Sequence, residues 1–252
     1  YFAQDPGGLG LLSAEGRLAE LPKSIIDPVA DWAKPSDGTW VGISGRARTL
    51  VHTATLTDLP ASCDDLTDVK WKGKLGWAPT NSSFQTMVTG MRILWGEERT
   101  RQWLSDMMAN EVIVYPKNTP QVAAVAAEEI SIGLVNHYYL HRFIAENGDT
   151  FNARNLYLSD GGPCSLVMVA GAGIINTGEN RANAEKFLRF MVSKVAQQYF
   201  TDQIYEYPVI DGIKTHMLLP ALSELNIPTV TMEDLSDLTG TQVIFRDLGM
   251  LD

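Results

Sequence analysis

Apolar positions along this chain recur in two rhythms, and their alternation predicts the architecture. Phe84, Met87, Val88, Met91, Leu94 and Trp95 fall at steps of three and four, the buried stripe of one helix. Its methionines read as core filler, suited to irregular gaps. Glu97 to Met108, Gln121 to Glu129, Asn183 to Val192 and Lys194 to Phe200 read as further helices, and Leu9 to Leu21 as another that stops near Pro22. Pro120 suits a first helical turn, where its missing N–H does no harm. Between the helices lie short apolar runs that read as strands: Thr39 to Ser44, Ala47 to Ala54, Lys74 to Ala78, Val112 to Tyr115, Ile130 to Val135 and Ser165 to Ile175. Gly45-Arg46 separates the first two, and Leu56 to Lys74 is loop-rich. Gly171-Ala172-Gly173 lacks the third glycine of a dinucleotide loop and sits inside a strand. Strands alternating with helices predict α/β architecture, with no internal repeat and no low-complexity linker.

Three segments share one design, in which a strand ends, polar residues follow and a helix begins. They are Thr80-Asn81-Ser82-Ser83, Lys117-Asn118-Thr119 and Asn136-His137-Tyr138-Tyr139. In α/β sheets ligands bind beyond the carboxyl ends of strands, so such loops can line one cleft. The first offers hydroxyls and free N–H groups at a helix N-terminus, which suits an anion; plain capping by Ser, Thr and Asn is the alternative. In the third, two adjacent tyrosines at a strand-to-helix switch can aim both phenols at one point. A phenolate pair is a hard oxygen donor set that suits a hard cation, ferric iron above all. Two ordinary half-buried aromatics are the alternative there.

The 252 residues suffice for one large domain or two lobes, and 45% hydrophobic content is enough for a normal core. A net charge of -10, with no basic cluster, argues against nucleic acid. No apolar run approaches the ~20 residues that span a bilayer. No signal peptide is visible, and the sequence opens at Tyr1 rather than at a methionine. Cys63 and Cys164 form no Cys-x-x-Cys; isolated thiols of this kind are more often packed than bridged. His137 and His141, four apart, can share a helical face. His137 reads as a packing residue or as a support behind the tyrosines. Arg46 and Arg48 can neutralise charge near the phenols or serve the strand itself, with a structural or hinge role for at least one. No nucleophile elbow, Walker loop or metalloprotease motif supports an enzyme.

Taken together, these stretches resemble the periplasmic ferric-ion-binding proteins of bacterial ABC transporters. The resemblance runs from Tyr1 to near Asp252. It is carried by Ala3-Gln4-Asp5 with Leu9 to Leu12, Ile43-Ser44-Gly45-Arg46-Ala47-Arg48, Trp71-Lys72-Gly73-Lys74, Pro79 to Phe84, Lys117-Asn118, Asn136 to Tyr139, Gly171 to Gly173 and Tyr205-Glu206-Tyr207-Pro208. It implies an α/β, two-lobed type II periplasmic binding protein with mixed sheets and hinge strands. The first lobe would comprise 1–46 and 169–219, and the second 47–168 and 220–252. The resemblance further implies that Tyr138 and Tyr139 bind ferric iron, and that Asn81, Ser82, Ser83, Asn118 and Asn136 hold a synergistic phosphate or carbonate. Arg46 and His137 would stand behind them. Where the family often supplies a carboxylate from the first lobe, this chain has Gln4, a weaker neutral donor.

Family members carry a strand, a helix and a strand upstream of the segment matching Tyr1, so the first lobe reads as N-terminally incomplete. An exposed edge there favours dimerisation or strand exchange. The implied function is capture of ferric iron outside the cytoplasm, in the periplasm or on a lipid anchor, and delivery to an ABC permease without catalysis. A phosphonate, polyamine or thiamine carrier of the same fold is the alternative, with a hydrolase or transferase behind it.

Overall fold

The computed structural model describes residues 1–251, which divide into two compact units. The first comprises Tyr1–Arg46, Val167–Glu224 and Thr231–Asp237, and the second Ala47–Leu166, Leu225–Val230 and Leu238–Asp252. The sequence reading had the chain return to the first lobe at residue 169 and kept 220–252 whole in the second. In the structure the first unit takes Val167–Glu224 and again Thr231–Asp237, which leaves Leu225–Val230 and Leu238–Asp252 to the second. The reason for that division is local. Leu235 is buried, Ser236 lies against Gly10, and Glu233 accepts from both the backbone and the hydroxyl of Ser36.

In the first unit, β1 (Phe2–Ala3) and β2 (Leu18–Ala19) both run antiparallel to β8 (Val167–Ile175). Helix α1 covers Pro6–Ala14, shorter than the predicted Leu9 to Leu21. Gly16, at φ 63°, turns the chain out of the helix in a conformation that L side chains rarely adopt, and β2 can then form. A short helix α2 (Lys23–Ile26) follows. Helices α7 (Arg181–Met191) and α8 (Lys194–Ile204) complete the unit, the latter capped by the Ser193 hydroxyl.

The two strands predicted on either side of Gly45-Arg46 are one 14-residue strand, β3 (Trp40–Thr53), buried throughout. Gly45 is there for close approach rather than as a break. A Cβ on it would stand 2.8 Å from the Trp32 ring and 3.0 Å from Tyr207, and Gly45 and Tyr207 exchange backbone hydrogen bonds. The boundary between units falls within β3, between Arg46 and Ala47.

In the second unit, β3 pairs antiparallel with β6 (Ile132–Asn136) and with β7 (Ala153–Leu156). Strand β4 (Leu75–Trp77) runs parallel to both β6 and β5 (Ile113–Val114). Helices α3 (Ser82–Trp95), α4 (Glu97–Ala109), α5 (Asn118–Ala126), α6 (Tyr138–Asn147) and α9 (Leu238–Asp247) surround this mixed sheet. The stripe read from the sequence on α3 is its core face: Phe84, Met87, Val88 and Met91 are buried with Trp77, Trp103 and Phe245.

The same core contains a bridge between Cys63 and Cys164, contrary to the reading of two packed thiols. Their separation of 101 residues gave no local signal for it. The sheet and α3 bring the two ends to the same place, with Cα atoms 5.7 Å apart. Closing so long a loop removes much freedom from the unfolded chain. Replacing both cysteines by alanine is expected to lower the unfolding free energy by about 2–5 kcal/mol, read from denaturant midpoints without reductant. An unchanged midpoint would show that the bridge adds nothing.

Candidate metal and anion centre

The second unit gathers one polar cluster at the ends of its strands. Register builds the centre of it: Arg48 on β3 stands directly opposite Asn136 on β6. Opposed residues of an antiparallel pair put their side chains on the same face. Arg48 Nη1 accordingly donates to Asn136 Oδ1 at 3.0 Å, and also to Ser83 Oγ at 3.2 Å. Ser83 sits in the first turn of α3, where Asn81 caps the helix. Asn81 Oδ1 accepts from the Ser83 N–H at 3.1 Å and from its hydroxyl at 2.6 Å. Asn118, at the start of α5, closes the group through its Nδ2, 3.5 Å from both Asn81 Oδ1 and Ser83 Oγ.

Arg48 is 1% exposed, yet its Nε and Nη2 have no hydrogen-bond partner. Burial pushes its pKa down to about 9, opposed by the electrostatic pull of Tyr138 and Tyr139. The side chain therefore stays charged at neutral pH. A buried charge with open donors is costly unless an anion meets it.

Tyr138 and Tyr139 begin α6, one residue beyond the end of β6 at Asn136. Their rings stack, with centroids 4.4 Å apart and planes 29° from parallel, so the two phenols lie together. His137, wholly buried, fixes the point where α6 starts. Its backbone N–H donates to the Ala47 carbonyl at 3.0 Å, the Ala47 N–H donates to its Nδ1 at 3.1 Å, and Asn155 donates to its carbonyl at 2.8 Å. The Arg142 guanidinium lies 4.8 Å from the centre of the Tyr138 ring and 5.7 Å from that of Tyr139. Cations over aromatic faces are attracted by the ring, and more so as a phenol ionises.

Of the residues singled out in the sequence, Asn81, Ser83, Asn118 and Asn136 form one network, adjoined by Tyr138 and Tyr139. Ser82 opens α3, and its carbonyl accepts from the Thr86 hydroxyl at 3.0 Å. Gln4 and Arg46 belong to the first unit. Gln4 is exposed and its carbonyl accepts from Arg46 Nη1. Arg46 Nε lies 3.3 Å from Glu206 Oε1, and the other carboxylate oxygen accepts from the Ser44 hydroxyl. No group of three or more His, Cys, Asp and Glu able to hold a metal occurs among the described residues. Beside this network, the two phenols are the groups that can become hard anionic donors.

Comparison with known proteins gives the family. Residues 6–237 match the family described as bacterial extracellular solute-binding protein. The chain is 30% identical to the major ferric iron-binding protein of Neisseria meningitidis serogroup B, over 99% of this chain and 77% of that protein. It is also 30% identical to the Fe(3+)-binding periplasmic protein of Serratia marcescens, over 100% of this chain and 75% of the relative. The chain belongs to the bacterial ferric-iron-binding proteins. Iron-bound HitA from Pseudomonas aeruginosa superposes with a TM-score of 0.93 at 30% identity, covering 98% of this chain and 81% of that one. These are binding proteins rather than enzymes.

For a ferric-iron-binding protein, the side chains that sequence reasoning underweighted are Arg48 and Arg142. The sequence reading weighs Arg46 and Arg48 together and names Arg46 as the support behind the tyrosines; only Arg48 lies in the unit that holds the tyrosines. Strand pairing across from Asn136 is the signal that would have chosen between them. Arg142 was legible as the i+4 and i+3 neighbour of the tyrosines on one helix.

The open guanidinium makes a prediction about stability. Its pKa is about 9 when folded against the usual 12.5, so below pH 9 folded and unfolded chains both carry the charge and folding bears its burial. Phosphate at 100-fold its dissociation constant is expected to raise the melting temperature of metal-free protein at pH 7 by about 5–10 °C. The gain should persist across neutral pH, where the guanidinium keeps its proton. Arg48→Met should abolish the gain. An equal phosphate response in the variant would show that Arg48 does not hold the anion.

Proposed function

We propose that this protein captures ferric iron together with a small oxyanion outside the cytoplasm and delivers it to an ABC permease. The observation that carries the reading is the stacked Tyr138–Tyr139 pair beside a buried Arg48 with two open nitrogens. A free phenol has a pKa near ~10 and is neutral at pH 7. A trivalent cation stabilises phenolate and displaces the proton. The Arg48 charge and a ferric ion are then matched by two phenolates and a dianion, which leaves little uncompensated charge in a buried place. The anion fills coordination positions on the metal while Arg48, Asn81, Ser82, Ser83, Asn118 and Asn136 hold it. Phosphate and carbonate both suit this role.

The ferric-iron names of the relatives and of the HitA structure support the cargo. The Cys63–Cys164 bridge supports an oxidising compartment such as the periplasm. No helix among the described residues is long and apolar enough to cross a membrane. Membership of the extracellular solute-binding family supports a permease partner.

A second reading, a small organic anion as the cargo, rests on the same open guanidinium. Titration of metal-stripped protein with chelated ferric iron, followed by visible absorption, separates the two. A saturable phenolate-to-iron charge-transfer band is expected, and Tyr138→Phe/Tyr139→Phe should abolish it. A folded protein that binds oxyanions with no such band would favour the organic anion.

A further inference from the structure

Helix α7 presents its faces in reverse of an ordinary surface helix. At about 100° per residue, Ala184, Phe187, Leu188, Phe190 and Met191 fall on one half of it, and Arg181, Glu185, Lys186 and Arg189 on the other. A surface helix normally lays its apolar half on the body of the protein. Here the polar half makes the bonds to the body. Arg181 Nη2 donates to the Glu20 carbonyl at 3.0 Å, and Arg189 Nε to the Ser24 hydroxyl at 3.3 Å. Glu185, between them, pairs with both guanidiniums at 2.9 and 3.0 Å. Of the apolar half only Leu188 is buried, while Phe187 and Phe190 are 53% and 55% exposed.

Helix α8 packs against α7 and repeats the feature. Val195 and Tyr199, one turn apart, are 74% and 57% exposed on the side away from buried Gln197 and Thr201. Among the described residues, the exposed aromatic side chains are Tyr1, Phe2, Phe187, Phe190 and Tyr199, and all belong to the first unit.

The chemistry of this face narrows what can cover it. Its apolar half carries no charge, so a charged segment would lose its hydration there for nothing. An anionic lipid surface needs cations free to reach its headgroups. Two of the three on α7 are held by Glu185, and the chain carries a net charge of -10. An apolar helix face suits a copy of itself, because a two-fold axis sets the ridges of one helix into the grooves of the other. The area agrees. Aromatic side chains bury about 150–250 Å² each, so the exposed parts of Phe187, Phe190, Tyr199 and Val195 offer roughly 400 Å² per copy. A standard partner contributes about 800 Å², about two-thirds of it apolar in homodimers, so these four side chains supply most of the apolar share.

We infer that the α7–α8 face is a self-association surface that joins a second copy of this chain across a two-fold axis, with Phe187 and Phe190 at its centre. The contact is made by a helix face rather than by the sheet edge read from the sequence, and it does not depend on the cargo.

Sedimentation velocity of the metal-free chain at pH 7.4, from low to high micromolar concentration, tests this. The wild type is expected to show a monomer–dimer equilibrium. Phe187→Ser/Phe190→Ser should weaken it at least about tenfold. Val69→Ser, at a site in the second unit that is 73% exposed, should leave it unchanged. Val195→Ser/Tyr199→Ser reads the same face and should also weaken the dimer, which decides the matter if the first variant does not fold. A wild type that is monomeric throughout, or a dimer that the paired variants leave intact, would overturn the inference. So would a monomer that floats with phosphatidylglycerol vesicles through Phe187 and Phe190, which would assign the face to a lipid surface.

Discussion

A buried guanidinium with one satisfied nitrogen and two open ones is the constraint on which the second unit's polar centre depends. Arg48 is too buried to be solvated and too weakly bonded to be self-sufficient. Everything near it is arranged to hold that charge in place without neutralising it. Asn136 meets it across the sheet, Ser83 meets it from the first turn of α3, and Asn81 orients Ser83. None of these partners is anionic. The tyrosines alone can become negative beside it, and they do so only when something removes their protons.

The frame that keeps this arrangement is ordinary in its physics. Antiparallel pairing of β3 with β6 sets Arg48 opposite Asn136, and a slip of one residue would send Arg48 to the other face. The next residues along the chain convert the strand into α6, with buried His137 tied to Ala47 on β3. The start of α6 therefore cannot move independently of the strand that bears Arg48. Beneath α3, the core of Trp77, Phe84, Trp103 and Phe245 and the Cys63–Cys164 bridge hold the helix whose N-terminus supplies Asn81 and Ser83.

Much of this was legible in the sequence, for reasons that can be named. The α3 stripe follows a clear helical period, and the three strand-to-helix loops carry capping residues whose chemistry is local. The tyrosine pair is adjacent in sequence, so no folding is needed to bring it together. What the sequence hid was non-local. Gly45 reads as a break because a glycine made for close packing against Trp32 and Tyr207 looks the same as one made for a turn. The choice between Arg46 and Arg48 depends on strand register. The disulfide joins residues 101 apart, and segment 231–237 is claimed by Ser36 and Gly10 at the other end of the chain. Pattern and composition carry no record of such pairings.

The central claim is that Tyr138 and Tyr139 bind ferric iron as phenolates beside the Arg48 charge. Proton release tests it most directly. Calorimetry of iron loading near pH 7, repeated in buffers of different ionisation enthalpy, counts the protons expelled, and Tyr138→Phe/Tyr139→Phe gives the background from chelator and ferric hydrolysis. The account predicts about two protons per iron above that background. Iron binding with no release beyond that of the double variant would contradict it.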